Sequence, residues 1–132
     1  MRISSSALVL ALLMMLLGPK AFAASAVAFD GKRLIYEYAY GIRTEDEAKD
    51  RALKGCVRRS GRKCRVIISC GNGGYGAVYT GRLRDHSTVI VGATCGAADP
   101  HEANVGAEQS CNTQLRSGKC VGPKAAWYDR AN

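Results

Sequence analysis

Three observations predict an α+β fold: a pseudo-twofold repeat of β-β-α-β, with a mainly antiparallel sheet, two helices on one face and three disulfides. The first is a repeat at a fixed shift. Glu47-Ala48-x-x-x-Ala52-x-x-x-Cys56 returns as Glu102-Ala103-x-x-x-Ala107-x-x-x-Cys111, and 102 − 47 = 55 residues. The same shift carries Gly41 onto Gly96 and Thr44 onto Asp99. Two copies point to a pseudo-twofold unit, because a solenoid needs about three or more repeats. The second is period-2 alternation of apolar residues ahead of each repeated segment. The third is an even set of six cysteines in a short chain.

Size and charge bound the rest. The chain has 132 residues, with 19 Lys+Arg against 11 Asp+Glu and a formal charge of +8. Hydrophobics at 47% and charged residues at 23% exclude an acidic disordered tail and a wholly membranous protein. The length holds one domain, with no room for a kinase or for paired cofactor and substrate domains. Arg2, the apolar run Ala7 to Leu17, the breaker Gly18-Pro19 and the small-residue step Ala21-Phe22-Ala23 read as a signal peptide over 1–23. An uncleaved N-terminal anchor is the alternative. The absence of a Cys after the run disfavours a lipoprotein. The expected mature chain, 24–132, is one disulfide-stapled domain of two repeats, about 24–74 and 75–132. Losing Arg2 and Lys20 leaves it at 17 − 11 = +6, with no transmembrane segment.

The elements follow in order. Short strands are expected at Ala26–Asp30 and Tyr75–Thr80. Leu34, Tyr36, Tyr38 and Tyr40 alternate with Arg33, Ile35, Glu37 and Ala39, which predicts a half-buried strand. Thr44 opens a helix as N-cap, and Glu47 three residues on predicts a capping box. Glu45, Asp46 and Glu47 fill its first turn and Arg58 and Arg59 its last, which complements the helix dipole. Ala48, Ala52 and Cys56 share one face. Cys64 to Cys70 is the next strand. In the second copy, Val89, Val91, Ala93 and Cys95 form the alternating strand. Asp99 caps a helix with Pro100 at its first position, and Ala103, Ala107, Cys111 and Leu115 line its inner face. A last strand is expected over Lys124–Asp129.

The repeat narrows the cysteine pairing from 15 possibilities. Cys56 and Cys64 hold the same places in the first copy as Cys111 and Cys120 in the second, so each pair is expected to close a local loop. Cys70 and Cys95 have no repeat counterparts and are left for each other. A metal site is disfavoured: there is no CxxC pair, and neither His86 nor His101 stands at ligand spacing from a cysteine. Disulfides in a chain with a signal peptide imply an oxidising compartment, periplasmic or extracellular.

The aromatic-rich strand, the helix of E-A-x-x-x-A-L-x-x-C type and the C-R-V strand opening resemble a family of small secreted bacterial proteins, domain of unknown function 4189. Glu47, Ala48, Ala52, Leu53, Cys56, Cys64, Arg65 and Val66 carry the resemblance, which is firm over about residues 36–78. In the second copy Glu108 replaces Leu53, and Gly122-Pro123 replaces the Arg-Val step. The resemblance implies a secreted, disulfide-bonded module and brings no catalytic residues.

Gly71-Asn72-Gly73-Gly74-Tyr75-Gly76 fits GxGxxG, but Ala77-Val78-Tyr79 reads as a strand where a dinucleotide site needs a helix. A glycine hairpin loop is expected instead. Ser69 lacks an evident His partner. Asp85-His86 and His101-Glu102 are adjacent pairs, whose side chains do not face one another on regular elements. No cofactor is expected. The strongest signal is charge: Lys54, Arg58, Arg59, Arg62, Lys63 and Arg65 fall in twelve residues without an acid. Held by a Cys56–Cys64 bridge, they predict a surface for a phosphate- or carboxylate-rich partner. The alternative is a solvated helix end. Nucleic acid is disfavoured, since no aromatic interleaves with the bases for stacking. The expected function is a secreted, non-enzymatic binding module for an anionic envelope component or an acidic protein, of inhibitor or immunity type. Lys54, Arg58, Arg59, Arg62 and Lys63 are its contact residues. An envelope enzyme with an unrecognised site and a structural envelope protein are the alternatives.

Overall fold

The computed structural model describes residues 22–84, 88–115 and 118–130. The leader expectation falls mostly outside the described residues. The order is β1 (Ala24–Phe29), β2 (Tyr36–Ile42), α1 (Glu45–Ser60), β3 (Arg65–Cys70), β4 (Gly74–Arg82), β5 (Val89–Ala97), α2 (Pro100–Asn112) and β6 (Val121–Asp129). This is β-β-α-β twice.

The strands form two antiparallel sheets, ordered β2-β1-β3 and β5-β4-β6. The first strand of each copy lies in the middle, flanked by the second and the last. The registers repeat as well. Val27 faces Tyr38 in the first copy and Val78 faces Ala93 in the second, and Tyr38 and Ala93 are 55 residues apart. Both pairings slip at the same place, beside Gly41 and Gly96, whose φ values of 65° and 72° lie in the left-handed region that glycine tolerates.

Both helices are capped at their N-termini. The Thr44 hydroxyl accepts the Glu47 N–H at 3.2 Å, and Asp99 Oδ1 accepts the Glu102 N–H at 2.8 Å. In α2 the Glu102 carboxylate also reaches back to the Ala98 N–H at 2.7 Å. Gly61 ends α1 in a left-handed conformation, its N–H bonded to the Val57 carbonyl.

The core has three layers of contact. Ala24, Ala26 and Ala28 of β1 meet Ala48, Ala52 and Cys56 of α1. Ala77, Tyr79 and Ile90 meet Ala103, Ala107 and Cys111 of α2. Val27, Phe29, Val78, Val89, Val91, Ala93 and Trp127 meet between the sheets. The α+β class, the repeat and the two helices stand as expected. The arrangement of layers differs: two sheets face each other, and each helix covers the outer face of its own sheet. The reason is β1, buried along its whole length. Its alanines admit a helix on one side while Val27 and Phe29 face the other sheet, so both of its faces are interior.

The three bridges are Cys56–Cys64, Cys111–Cys120 and Cys70–Cys95, the pairing expected from the repeat. The first two tie a helix end to the start of the following strand. The third joins β3 of one sheet to β5 of the other. Element ends shift modestly. Leu34 lies ahead of β2, which runs on to Ile42, and β6 begins at Val121 rather than Lys124. The glycine segment is not a hairpin: it carries the chain from β3 in one sheet to β4 in the other. Gly73 and Gly74 adopt φ of 77° and 103°, and the Gly73 N–H bonds the Ala23 carbonyl at 2.8 Å.

Candidate functional site

The topology gathers four segments at one end of the molecule. Phe29 pairs with both Tyr36 and Arg65, so the β1–β2 turn lies beside the start of β3. Arg82 pairs with Val89, and Thr80 with Val121, so the end of β4 lies beside the start of β6. One cleft of about 340 Å³, lined by Leu34, Arg82, Lys119, Val121 and Lys124 among others, joins the two sets. A second, of about 220 Å³, is lined by Phe29, Asp30, Gly31, Lys63, Cys64 and Arg65. The chain leaves each helix toward this end. The acids Glu45, Asp46 and Glu47 stand in the first turn of α1, at the far end of that helix.

The predicted contact residues do not form one patch. Lys54 is bound to Asp50 at 2.7 Å, one helical turn back. Arg59 is bound to Glu37 at 3.1 Å and donates to the Tyr36 carbonyl at 3.2 Å, which pins α1 to β2. These two cations are engaged within the fold. Arg58 turns the other way, into a groove lined by Tyr38, Tyr40, Arg51 and Gly55. Arg62 and Lys63 lie exposed in the bridged loop, and Arg65, at the start of β3, is exposed as well. Among the described residues Arg58, Arg62, Lys63 and Arg65 have no carboxylate within ion-pairing distance. Sequence reasoning missed Arg82, Lys119 and Lys124, which are far apart in the chain and meet only through the β4–β6 pairing.

The other constellations resolve into structural roles. The Ser69 hydroxyl donates to Glu45 Oε1 at 2.6 Å, tying β3 to the start of α1. That bond, with Lys49 beside it, holds the Glu45 carboxyl below its ordinary range. His101 is exposed, and its neighbour Glu102 is engaged at the helix start. Asp85 and His86 lie outside the described residues. Among the described residues no three His, Cys, Asp or Glu side chains come together as a metal site.

Residues 24–122 match a described family, Domain of unknown function (DUF4189). The chain belongs to the DUF4189 family. No curated protein matches it, and no solved structure does. The DUF4189 match spans both bridged helices and the glycine segment, and ends at the second residue of β6.

Beyond that limit β6 contributes a buried polar group at the seam with β2. Trp127 stacks on Tyr38 at 5.4 Å between ring centroids, and Tyr38 on Tyr40 at 6.0 Å. Asp129, 2% exposed, accepts the Gly41 N–H through Oδ1, while Oδ2 is enclosed without a hydrogen-bond partner. Burial pushes the Asp129 carboxyl above its ordinary value, against the Gly41 N–H and, more weakly, the Ser25 hydroxyl. An acid whose pKa is raised on folding favours the fold most at pH below its unfolded value. It erodes stability as pH rises through the folded pKa. Asp129→Asn keeps an acceptor for Gly41 without the charge. Its melting temperature is expected to match the parent near pH 3 and to exceed it by a margin that widens toward pH 7. A variant less stable than the parent at pH 7 would show that the carboxylate charge is compensated in the fold.

Proposed function

We propose that this protein is an exported, non-enzymatic binding module whose turn-and-bridge end takes an anionic partner of the cell envelope. The observation that carries the reading is the set of cations at that end, Arg62, Lys63 and Arg65, with no carboxylate partner among the described residues. Helix-dipole complementarity accounts for Arg58 and Arg59 in the last turn of α1. It does not account for Lys32, Arg82, Lys119 or Lys124, which lie off the helices.

Export is supported by three disulfides, by the leader pattern and by the fact that no described helix is long and apolar enough to cross a membrane. Cleavage after Ala23 would leave β1 whole, since Ala24 is its first residue.

The test is capture from envelope extract with the bridged protein and with Arg62→Gln/Lys63→Gln/Arg65→Gln, the three exposed cations of that end. Lys54 and Arg59 are spared because each is already paired with an acid, Asp50 and Glu37, and Arg58 because it turns into the groove between α1 and β2. Exposed cations contribute little to folding, under about 1 kcal/mol each, so the triple variant should melt within a few degrees of the parent. Its capture of anionic material should fall several-fold. Undiminished capture by a folded triple variant would reassign these cations to solubility.

A further inference from the structure

We infer that the cleft between the β1–β2 turn and the start of β6 seats the headgroups of an anionic phospholipid bilayer, which makes this end of the protein a peripheral membrane-docking surface. The inference rests on the binding reading above and names its ligand. Arg82, Lys119 and Lys124 come from the end of β4, the segment before β6 and β6 itself, and converge on one cleft of about 340 Å³ with no acid in its lining. None of the three has an ion-pair partner among the described residues. Between them stand two exposed aliphatic side chains, Leu34 at 40% and Val121 at 56%.

Cations alone would suit any polyanion. Cations set around aliphatic tips at the end of a molecule suit an interface where phosphates lie above acyl chains. An acidic protein surface offers carboxylates but no layer into which Leu34 and Val121 can insert. The second cleft, where Lys63 and Arg65 outnumber the buried Asp30, flanks the same β1–β2 turn and would rest on the same plane. The acidic first turn of α1 would point away from it.

Each cation held near an anionic leaflet raises partitioning by roughly fivefold at low salt. The bridged protein should therefore sediment with vesicles of phosphatidylcholine containing about one-third phosphatidylglycerol, and not with phosphatidylcholine alone. Arg82→Gln/Lys119→Gln/Lys124→Gln should lower that partitioning by about tenfold to 100-fold. Leu34→Ser/Val121→Ser should lower it several-fold while leaving retention on immobilised polyphosphate unchanged. All these side chains are exposed, so the melting temperatures should stay near the parent's. Vesicle binding untouched by both sets, or absent from the parent, overturns the inference. So does a serine pair that binds vesicles as well as the parent does, which would describe a polyanion patch. The binding reading is tested separately. Envelope capture that depends on Arg62, Lys63 and Arg65 without vesicle binding leaves that reading standing and removes only this one. Capture of an acidic protein in its place has the same meaning. Capture indifferent to both basic clusters removes both.

Discussion

Replacing Cys70 and Cys95 together by alanine is expected to cost about 3.5 kcal/mol, against about 2.5 kcal/mol for either local pair, because the closed loop is longer. The sequence separations are 25 for this bridge and 8 and 9 for the others. In melting temperature this is a fall of roughly 10–15 °C for a chain of this size. Position adds to loop length. Cys56–Cys64 and Cys111–Cys120 each act within one half of the repeat, whereas Cys70–Cys95 joins the sheets. The opposite seam, between β2 and β6, has no covalent link and relies on the Tyr38–Trp127 stack and the Asp129–Gly41 hydrogen bond. Calorimetry of the three double variants decides the order. A Cys70/Cys95 variant no less stable than a local-pair variant would mean that packing between the sheets holds both seams unaided.

Gly92→Ala should be about as damaging, at about 3 kcal/mol or more, although it adds one methyl group. A Cβ at Gly92 would lie 2.3 Å from the Cys111 nitrogen, 2.5 Å from the Ala107 carbonyl oxygen and 2.6 Å from the Cys111 Cα. These are backbone atoms of α2, so no rotamer change relieves the overlap. The helix must move off the sheet, while the Cys111–Cys120 bridge restrains it. The other half solves the same contact with the sizes exchanged. Glu37 occupies the strand position equivalent to Gly92, and its side chain lies over Gly55, where a Cβ would be 2.7 Å from Glu37 Cγ. Gly31→Ala is the control. It has a φ of 75° but nothing within 4 Å of its Cβ, so only the left-handed strain is incurred, about 1 kcal/mol. Equal unfolding free energies for the two variants would show that α2 shifts to admit the methyl group at no more cost than the backbone strain at Gly31.

The cysteine pairing and the helix limits were legible because each rests on local chemistry repeated at a constant shift. Thr44 and Asp99 cap where their hydrogen-bonding side chains and the acids behind them require, and Cys56 and Cys111 end equivalent faces. The split into two sheets was not legible. β1 is apolar on both faces, with Ala24, Ala26 and Ala28 on one and Val27 and Phe29 on the other, but six residues are too short a run to announce that one face meets a helix and the other a second sheet. Within the basic run, Lys54 stands four residues after Asp50, a helix-pair spacing that could have removed it from the contact set. The Arg59–Glu37 pair spans 22 residues and leaves no such trace. Leu34, Arg82, Lys119, Val121 and Lys124 are likewise scattered, so a linear scan for charge density finds the α1–β3 loop and passes over the larger cleft. The burial of Asp129 follows from the closeness of β2 and β6, which no local pattern encodes.

The central claim, that the turn-and-bridge end is an electrostatic binding surface, is tested most directly by the salt dependence of capture on anionic envelope material. Screening lengths fall from about 10 Å at 0.1 M salt to about 3 Å at 1 M. Parent protein should be retained strongly at the lower salt and released at the higher, and Arg62→Gln/Lys63→Gln/Arg65→Gln should show a weaker and shallower dependence. Retention that is independent of salt and equal for the two proteins would contradict the account.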